Sequence, residues 1–249
     1  VVPISCNDAI DRGRLKEIVE PKTKIGSPYV IAGMEKAQAR GRRRVCGWEA
    51  NGGFLTGSDI ERNGRILKAL PTRDAVLPIL CTLFAAHDEG LPLAGLFSRL
   101  PKRFSRAALL KGIPRQVGLK IVRELSPAAG AVREIVFGAG QVLMLDEQGG
   151  VLPSSAAGIE ETEFLRKRLE RFFGPDRGFG SIARANYVDG VRAIFCNGDV
   201  AHVRPSGNAD ELRIYAVADT QSRADEIADL GIAEPDGILR SLERALPEF

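Results

Sequence analysis

The sequence predicts an α/β domain followed by an α+β domain with an antiparallel sheet and helices on one face. Three observations lead there. The chain has 249 residues, which at about 150 residues per domain favours two domains over one. Over roughly the first hundred residues, strand signals alternate with helical stripes, the pattern of an α/β layer. Beyond that, strand and turn signals dominate and helices are fewer, which is the α+β pattern. The boundary is set where Pro92, Pro101 and Pro114 punctuate a basic stretch around Lys102, Arg103 and Arg106, giving domains 1–100 and 101–249.

Val1 to Ser5 reads as a strand. Asn7 or Asp8 then caps a helix carrying Ile10, Leu15, Ile18 and Val19 that ends before Pro21. Ser27-Pro28 reads as an N-cap followed by proline at the first helical position, and Val30, Met34 and Ala37 form one apolar stripe up to Gly41. Val45-Cys46 and Phe54-Leu55 are short strands on either side of a glycine-rich loop. Thr72 is expected to cap the next helix, where Val76, Ile79, Leu80 and Leu83 share a face, Asp74 suits the first turn and Pro78 predicts a kink. In the second part, Ile135 to Leu145 reads as strand, and Glu160 to Phe173 as a helix with Leu165, Leu169, Phe172 and Phe173 on one side. Val191 to Phe195 and Ala201 to Val203 flank Asn197-Gly198, the signature of a two-residue hairpin turn. Leu212, Ile214 and Ala216 alternate with Arg213, Tyr215 and Val217 as a half-buried strand, and a last helix runs from a Thr220 cap to Gly231.

The composition excludes whole classes of function. Charged residues make up 27% of the chain and no apolar run approaches the ~20 residues of a membrane span. A membrane protein and a disordered chain are both ruled out. The net charge of +3 is too small for a nucleic-acid partner. From Ala209 onward ten Asp or Glu stand against four Arg, a local charge of −6 that leaves +9 on the preceding residues, so anions should prefer the earlier part. Cys6, Cys46, Cys81 and Cys196 show no metal-ligand spacing and read as reduced, buried thiols of a cytoplasmic protein. The start has neither an initiator Met nor a signal peptide's pattern, so the chain reads as a piece of a longer one. Arg40-Gly41-Arg42-Arg43-Arg44 reads as a solvated turn. His87 ends a helix without a metal-ligand partner, His202, two residues before Arg204, either approaches a ligand or is a packed or outward strand residue, and Phe54, Phe172 and Phe173 belong to the core.

Chemistry concentrates in Arg204-Pro205-Ser206-Gly207-Asn208, followed by Glu211-Leu212-Arg213-Ile214-Tyr215. A tight connection between strands lets backbone N–H groups converge, Arg204 supplies forked donors, and Ser206 and Asn208 add a hydroxyl and an amide. Gly207 would permit positive φ and close approach of a ligand. Such a constellation can cradle phosphate, and it is also an ordinary hairpin connection. These residues resemble the phosphate-binding loop in the last domain of the α-D-phosphohexomutases, the phosphomannomutase/phosphoglucomutase family, and Asp189-Gly190-Val191-Arg192 fits the same domain. Gly47-Trp48-Glu49-Ala50-Asn51-Gly52-Gly53 is similar to that family's sugar-recognition loop in its third domain. Glu49 matches the glutamate that accepts from sugar hydroxyls, Asn51 falls on a serine position, and Trp48 and Gly53 depart from the pattern. Thr23 to Ser27 resembles a further loop near the sugar, where Ser27 either caps the helix or contacts ligand. Thr72-Arg73-Asp74-Ala75-Val76 also looks familial, with capping and packing as its expected role.

The resemblance covers the chain but only the latter half of a four-domain architecture. It implies an enzyme that interconverts hexose 6-phosphate and hexose 1-phosphate, mannose favoured, using Mg²⁺ and a hexose 1,6-bisphosphate activator. The family's phosphoserine and metal loops do not occur in this sequence, so the expectation is a piece that binds phosphorylated hexoses, holds no cofactor of its own and depends on missing N-terminal domains for turnover. A stand-alone sugar-phosphate or anion-binding module is the alternative. Neither nucleic acid nor membrane is expected as a partner.

Overall fold

The computed structural model describes residues 1–138 and 140–248. It divides into two compact units, Val1–Lys102 and the stretch from Arg103 onward.

In the first unit the start is extended, yet too briefly paired to form the expected strand. Pro3 bridges Thr23 in parallel, the Val1 ammonium donates to the Cys46 carbonyl at 2.8 Å, and Val1 accepts from Trp48 at 3.2 Å. The helix expected after it is broken by extended backbone at Gly13 into α1 (Ala9–Arg12) and a 3-10 turn, Arg14–Ile18. Asn7, not Asp8, accepts from the helical amide of Ala9 at 2.9 Å, and Leu15 and Ile18 stay exposed. In α2 (Ser27–Ala39) the expected stripe is buried: Val30, Met34 and Ala37 pack with Val45 and Leu55. Gly26 takes the cap position, which frees Ser27 for another contact.

The two expected short strands form as β1 (Cys46–Trp48) and β2 (Phe54–Thr56) and pair as a hairpin, and β5 (Leu70–Asp74) adds a third antiparallel strand on β2. Between them β3 (Ile60–Arg62) and β4 (Arg65–Leu67) make a separate ribbon. Thr72 lies inside β5 and caps nothing. Asp74 instead accepts from Val76 at 2.7 Å and Leu77 at 3.3 Å at the start of α3 (Val76–Asp88). Pro78 occupies the first turn of α3, where no amide is needed for the helical ladder, so the helix runs through it unbroken. Val76, Ile79, Leu80 and Leu83 share a face as expected, but that face is solvent-exposed. The unit ends with α4 (Leu93–Phe97).

The described residues of the second unit build a seven-stranded, fully antiparallel sheet. Its strands are β6 (Phe104–Lys111), β7 (Glu134–Gly138), β8 (Gln141–Leu145), β9 (Ile182–Asn186), β10 (Val191–Phe195), β11 (Val200–Pro205) and β12 (Glu211–Ala218), in the order β6-β12-β11-β10-β9-β7-β8. The helices are α5 (Arg115–Glu124), α6 (Ala156–Glu170), α7 (Gln221–Ile232) and α8 (Ile238–Arg244). Their apolar sides (Ile121, Leu169, Ile227, Leu239) share one core with Val191, Ala193, Val203, Leu212 and Ile214. Helices therefore cover one sheet face, as α+β architecture demands. Two caps match their function: Ser155 accepts from Gly158 and Thr220 from Arg223. α7 is not the last helix, because α8 follows.

The thiols depart from expectation. All four are free, but Cys81 and Cys196 are exposed and only Cys6 is buried. The expected two-residue turn at Asn197-Gly198 is a three-residue loop, with Phe195 and Asp199 paired across it and Gly198 at φ 87°.

Candidate functional site

Strand pairing decides which side chains meet. In β10, β11 and β12, Arg192 lies opposite His202, His202 opposite Tyr215, and Arg204 opposite Arg213. Directly paired residues share a face, as do residues two apart. These five therefore stand together on the side away from the helices, while Ala201, Val203, Leu212 and Ile214 point into the core. Three arginines thus share one sheet surface beside a loop with a buried imidazole, and Arg204 and Arg213 are paired there with Asp189 and Glu211.

Arg204 is largely buried, and its Nε lies 3.0 Å from the Asp189 carboxylate. The Nε–H is not aimed along that line, so the contact is an ion pair rather than a hydrogen bond. Among the described residues its two terminal nitrogens meet no acceptor. The loop that follows has one amide committed: Ser206 donates to Glu211 at 2.9 Å and closes the base. Asp210 anchors the far side by accepting from Arg115 at 3.0 Å, at the start of α5. The amides of Gly207 and Asn208 donate to no described acceptor. The buried Ser206 hydroxyl donates to Asn208 Oδ1 at 3.2 Å, which leaves the Asn208 NH₂ as an uncommitted donor. Gly207 does not adopt positive φ; a Cβ there would meet open space, so its value is clearance rather than backbone freedom. The loop thus offers Arg204, two backbone amides and one side-chain amide, a smaller donor set than the sequence suggests.

His202 is packed, 2% exposed, with Nε2 2.6 Å from the Asp189 carbonyl and its ring tilted on Tyr215. Burial, with Arg192 next to it, pushes its pKa down to about 4. Because a carbonyl only accepts, Nε2 carries the proton of a neutral imidazole.

In the first unit the structure brings Ser27 and Glu49 together: the Ser27 hydroxyl donates to Glu49 Oε2 at 2.8 Å. Glu49 is held in the β1–β2 turn, where its amide donates to Gly53 at 2.9 Å and its carbonyl accepts from Gly52 at 3.0 Å. Asn51 sits in the same turn, but its Oδ1 accepts from Gly53 at 3.1 Å and so shapes the loop. Arg73 of β5 places Nε 3.6 Å from Glu49 Oε2, a neighbour in a segment whose expected role was capping and packing. Strand order alone could have found it, because β2 pairs with both β1 and β5. Asp189 was missed in the same way. Its partner Arg204 lies across a hairpin whose loop length decides the register.

Among the described residues no three His, Cys, Asp or Glu side chains converge as a metal requires, so Mg²⁺ does not fit here and no chemical step in this chain is assigned to it. No described helix is long and apolar enough to cross a membrane. The arginine turn is a solvated surface, with Arg40 and Arg42 paired to Glu20.

Comparison with known proteins agrees with the sequence resemblance. A phosphomannomutase of Salmonella muenchen is 36% identical over 228 residues, covering 92% of this chain and 39% of that protein. One of Sinorhizobium fredii is 36% identical over 233 residues, covering 93% and 40%. A crystal structure of N-acetylglucosamine-phosphate mutase in a substrate complex aligns at TM-score 0.44 and 12% identity, covering 99% of this chain and 37% of that one. The chain spans about two fifths of the length of the curated relatives it matches. Residues 155–231 match the family model for the phosphoglucomutase/phosphomannomutase C-terminal domain, a stretch that contains Asp189, His202 and the whole 204–208 loop. Within residues 155–231, then, the chain is similar to the C-terminal domain of the phosphoglucomutase/phosphomannomutase family.

Proposed function

We propose that this chain is the C-terminal part of a cytoplasmic phosphomannomutase-like enzyme that interconverts hexose 6-phosphate and hexose 1-phosphate. In this reading the 204–208 loop grips the phosphate that is not reacting, while Glu49, Ser27 and Asn51 recognise sugar hydroxyls. The phosphoryl donor, Mg²⁺ and the bisphosphate activator belong to the longer enzyme. Binding energy gathered on groups remote from the reacting end orients that end without breaking any bond, so the chain alone should bind and not turn over.

The single observation that carries the reading is Arg204, held by Asp189 beside a loop whose Gly207 and Asn208 amides remain available. Calorimetric titration of mannose 1-phosphate tests it. Arg204→Ala should weaken binding roughly tenfold or more, since a charge-assisted hydrogen bond is worth about 1.5–3 kcal/mol. Unchanged affinity in that variant removes the assignment. Binding that collapses with salt yet survives Arg204→Ala would point instead to a nonspecific polyanion.

A further inference from the structure

The phosphate grip depends on how one guanidinium is held, and the structure shows a chain of contacts behind it that the chemistry above does not use. Arg204 leans on the Asp189 carboxylate, 3.0 Å away. Asp189 lies in the turn between β9 and β10, a short connection whose position needs fixing. Besides the Val188 amide's bond to Asn186 Oδ1 at 3.0 Å, two features that fix it bear on Arg204. Gly190 presses the turn against β11: with φ at +86°, a Cβ on it would lie 2.3 Å from the Val203 carbonyl oxygen and 3.0 Å from Arg204 Cβ. His202, two residues before Arg204 on the same face, reaches across to the Asp189 carbonyl at 2.6 Å. One strand therefore supplies both the cation that faces the ligand and the imidazole that holds that cation's counter-charge.

We infer that His202 is a positioning residue for anion binding, which acts through Asp189 to set the Arg204 guanidinium. This rests on the phosphate reading of the 204–208 loop. The imidazole suits the task because it is buried and donates to a carbonyl without adding charge of its own. A lysine or arginine there would compete with Arg204 for Asp189, and an apolar side chain would lose the bond to the Asp189 carbonyl, leaving the turn to the packing of Gly190 and the Val188 amide's bond to Asn186 Oδ1 at 3.0 Å. Asp189 in turn offsets part of the guanidinium charge through Nε, which leaves the terminal nitrogens as the donors for an anion. The order of action is His202, then Asp189, then Arg204, and only Arg204 touches the ligand.

The test is a set of calorimetric titrations with mannose 1-phosphate and inorganic phosphate on the 249-residue chain. His202→Ala and Asp189→Asn should each lose roughly tenfold in affinity for both ligands, and the double variant should lose no more than the worse single one, because residues acting in series are not additive. His202→Gln restores most of the binding, since its amide nitrogen can donate to the same carbonyl, whereas His202→Leu, which fills the space without donating, does not. In an Arg204→Ala background His202→Leu should have no further effect. Additive losses, wild-type affinity in His202→Leu, or His202→Gln as weak as His202→Leu would each overturn the inference. If His202→Ala fails to fold, the Gln and Leu pair carries the same comparison.

A readout that needs no ligand separates this idea from the phosphate reading. The Arg204 Nε–H resonance, assigned by its disappearance in Arg204→Lys, should keep its wild-type shift and sharpness in His202→Gln and move or broaden in His202→Leu. If the wild-type chain binds neither ligand but this signature holds, the phosphate reading falls and the positioning chain stands. If the signature is unchanged in His202→Leu, the positioning chain falls whatever the ligand does.

Discussion

At the residue scale, two buried groups set the behaviour of the two candidate sites. His202 titrates near 4 when folded, chiefly because it is desolvated, with Arg192 and Arg204 opposing a second proton and Asp189 favouring it. An unfolded histidine takes its proton near 6.5, so below that pH the unfolded state binds the proton and the folded state does not. The stabilisation is full above pH 6.5 and is lost as pH falls towards 4, by about 3 kcal/mol in total. Urea unfolding at pH 7 and pH 4.5 should show wild type losing more stability than His202→Gln; equal losses would mean the imidazole is not held neutral. Glu49 anchors Ser27 and faces Arg73. Glu49→Gln should weaken mannose 1-phosphate binding while leaving inorganic phosphate affinity unchanged, a split that titration of both ligands reads directly. Equal losses for the two would contradict a hydroxyl-binding role. The residue types of both sites were legible in the sequence, because Arg204, Ser206, Asn208 and Glu49 sit in recognisable runs. Their supports were not. Asp189 reaches its site from the β9–β10 turn and Arg73 from β5, and a carboxylate or guanidinium far along the chain carries no sign of what it will face.

Among the elements, legibility followed periodicity. The stripe of α2, the alternation of β12 as far as Ala216 and the cap of α7 are strong local patterns, and each formed where the sequence put it, whereas Val217 is buried against expectation. Elements decided by competition between neighbours were lost. Gly13 splits the first helix, Asp74 outcompetes Thr72 as a cap, and β6 was hidden in the proline-punctuated basic stretch read as the domain boundary, with α5 starting just beyond its Pro114. The hairpin of β10 and β11 shows why site geometry needs more than pattern. Reading its turn as two residues rather than three shifts the register by one and moves facing side chains to opposite sides. The observed register pairs Val191 with Val203, which brings the turn holding Asp189 alongside Arg204. That approach depends on a missing side chain at Gly190. Gly190→Ala forces an L-residue into positive φ and drives its Cβ against a carbonyl oxygen, so it should cost at least about 1–2 kcal/mol. It should also weaken phosphate binding, by displacing Asp189. Wild-type stability measured by urea unfolding would show that the turn is free to move away from β11, and the geometric account of the site would fail with it.

For the whole molecule, the two units differ in how much they bury. Among its described residues the second packs four α-helices onto a seven-stranded sheet around a large apolar core, with a smaller cluster at Val132, Ile135 and Met144. The first holds a small cluster around Val30, Met34 and Leu55, and leaves Val76, Ile79 and Phe84 of α3 about 60% exposed. Apolar surface left in water contributes nothing to stability, and at about 25 cal/mol per Å² the smaller core is the weaker one. Unfolding is therefore expected in two steps rather than one. The chain supplies its own reporter, because its single tryptophan, Trp48, lies in the first unit stacked on Phe54. In a urea titration Trp48 fluorescence should change at a lower midpoint than far-ultraviolet circular dichroism, which follows mainly the larger sheet. Saturating phosphate sharpens the distinction. A ligand gripped by the second unit stabilises only the state in which that unit is folded, by about 2.7 kcal/mol at a hundredfold excess over Kd. The later transition should then move to higher urea while the tryptophan transition stays in place. Coincident transitions, or a tryptophan midpoint that shifts with phosphate, would mean the two units fold as one and that the difference in buried core does not govern stability.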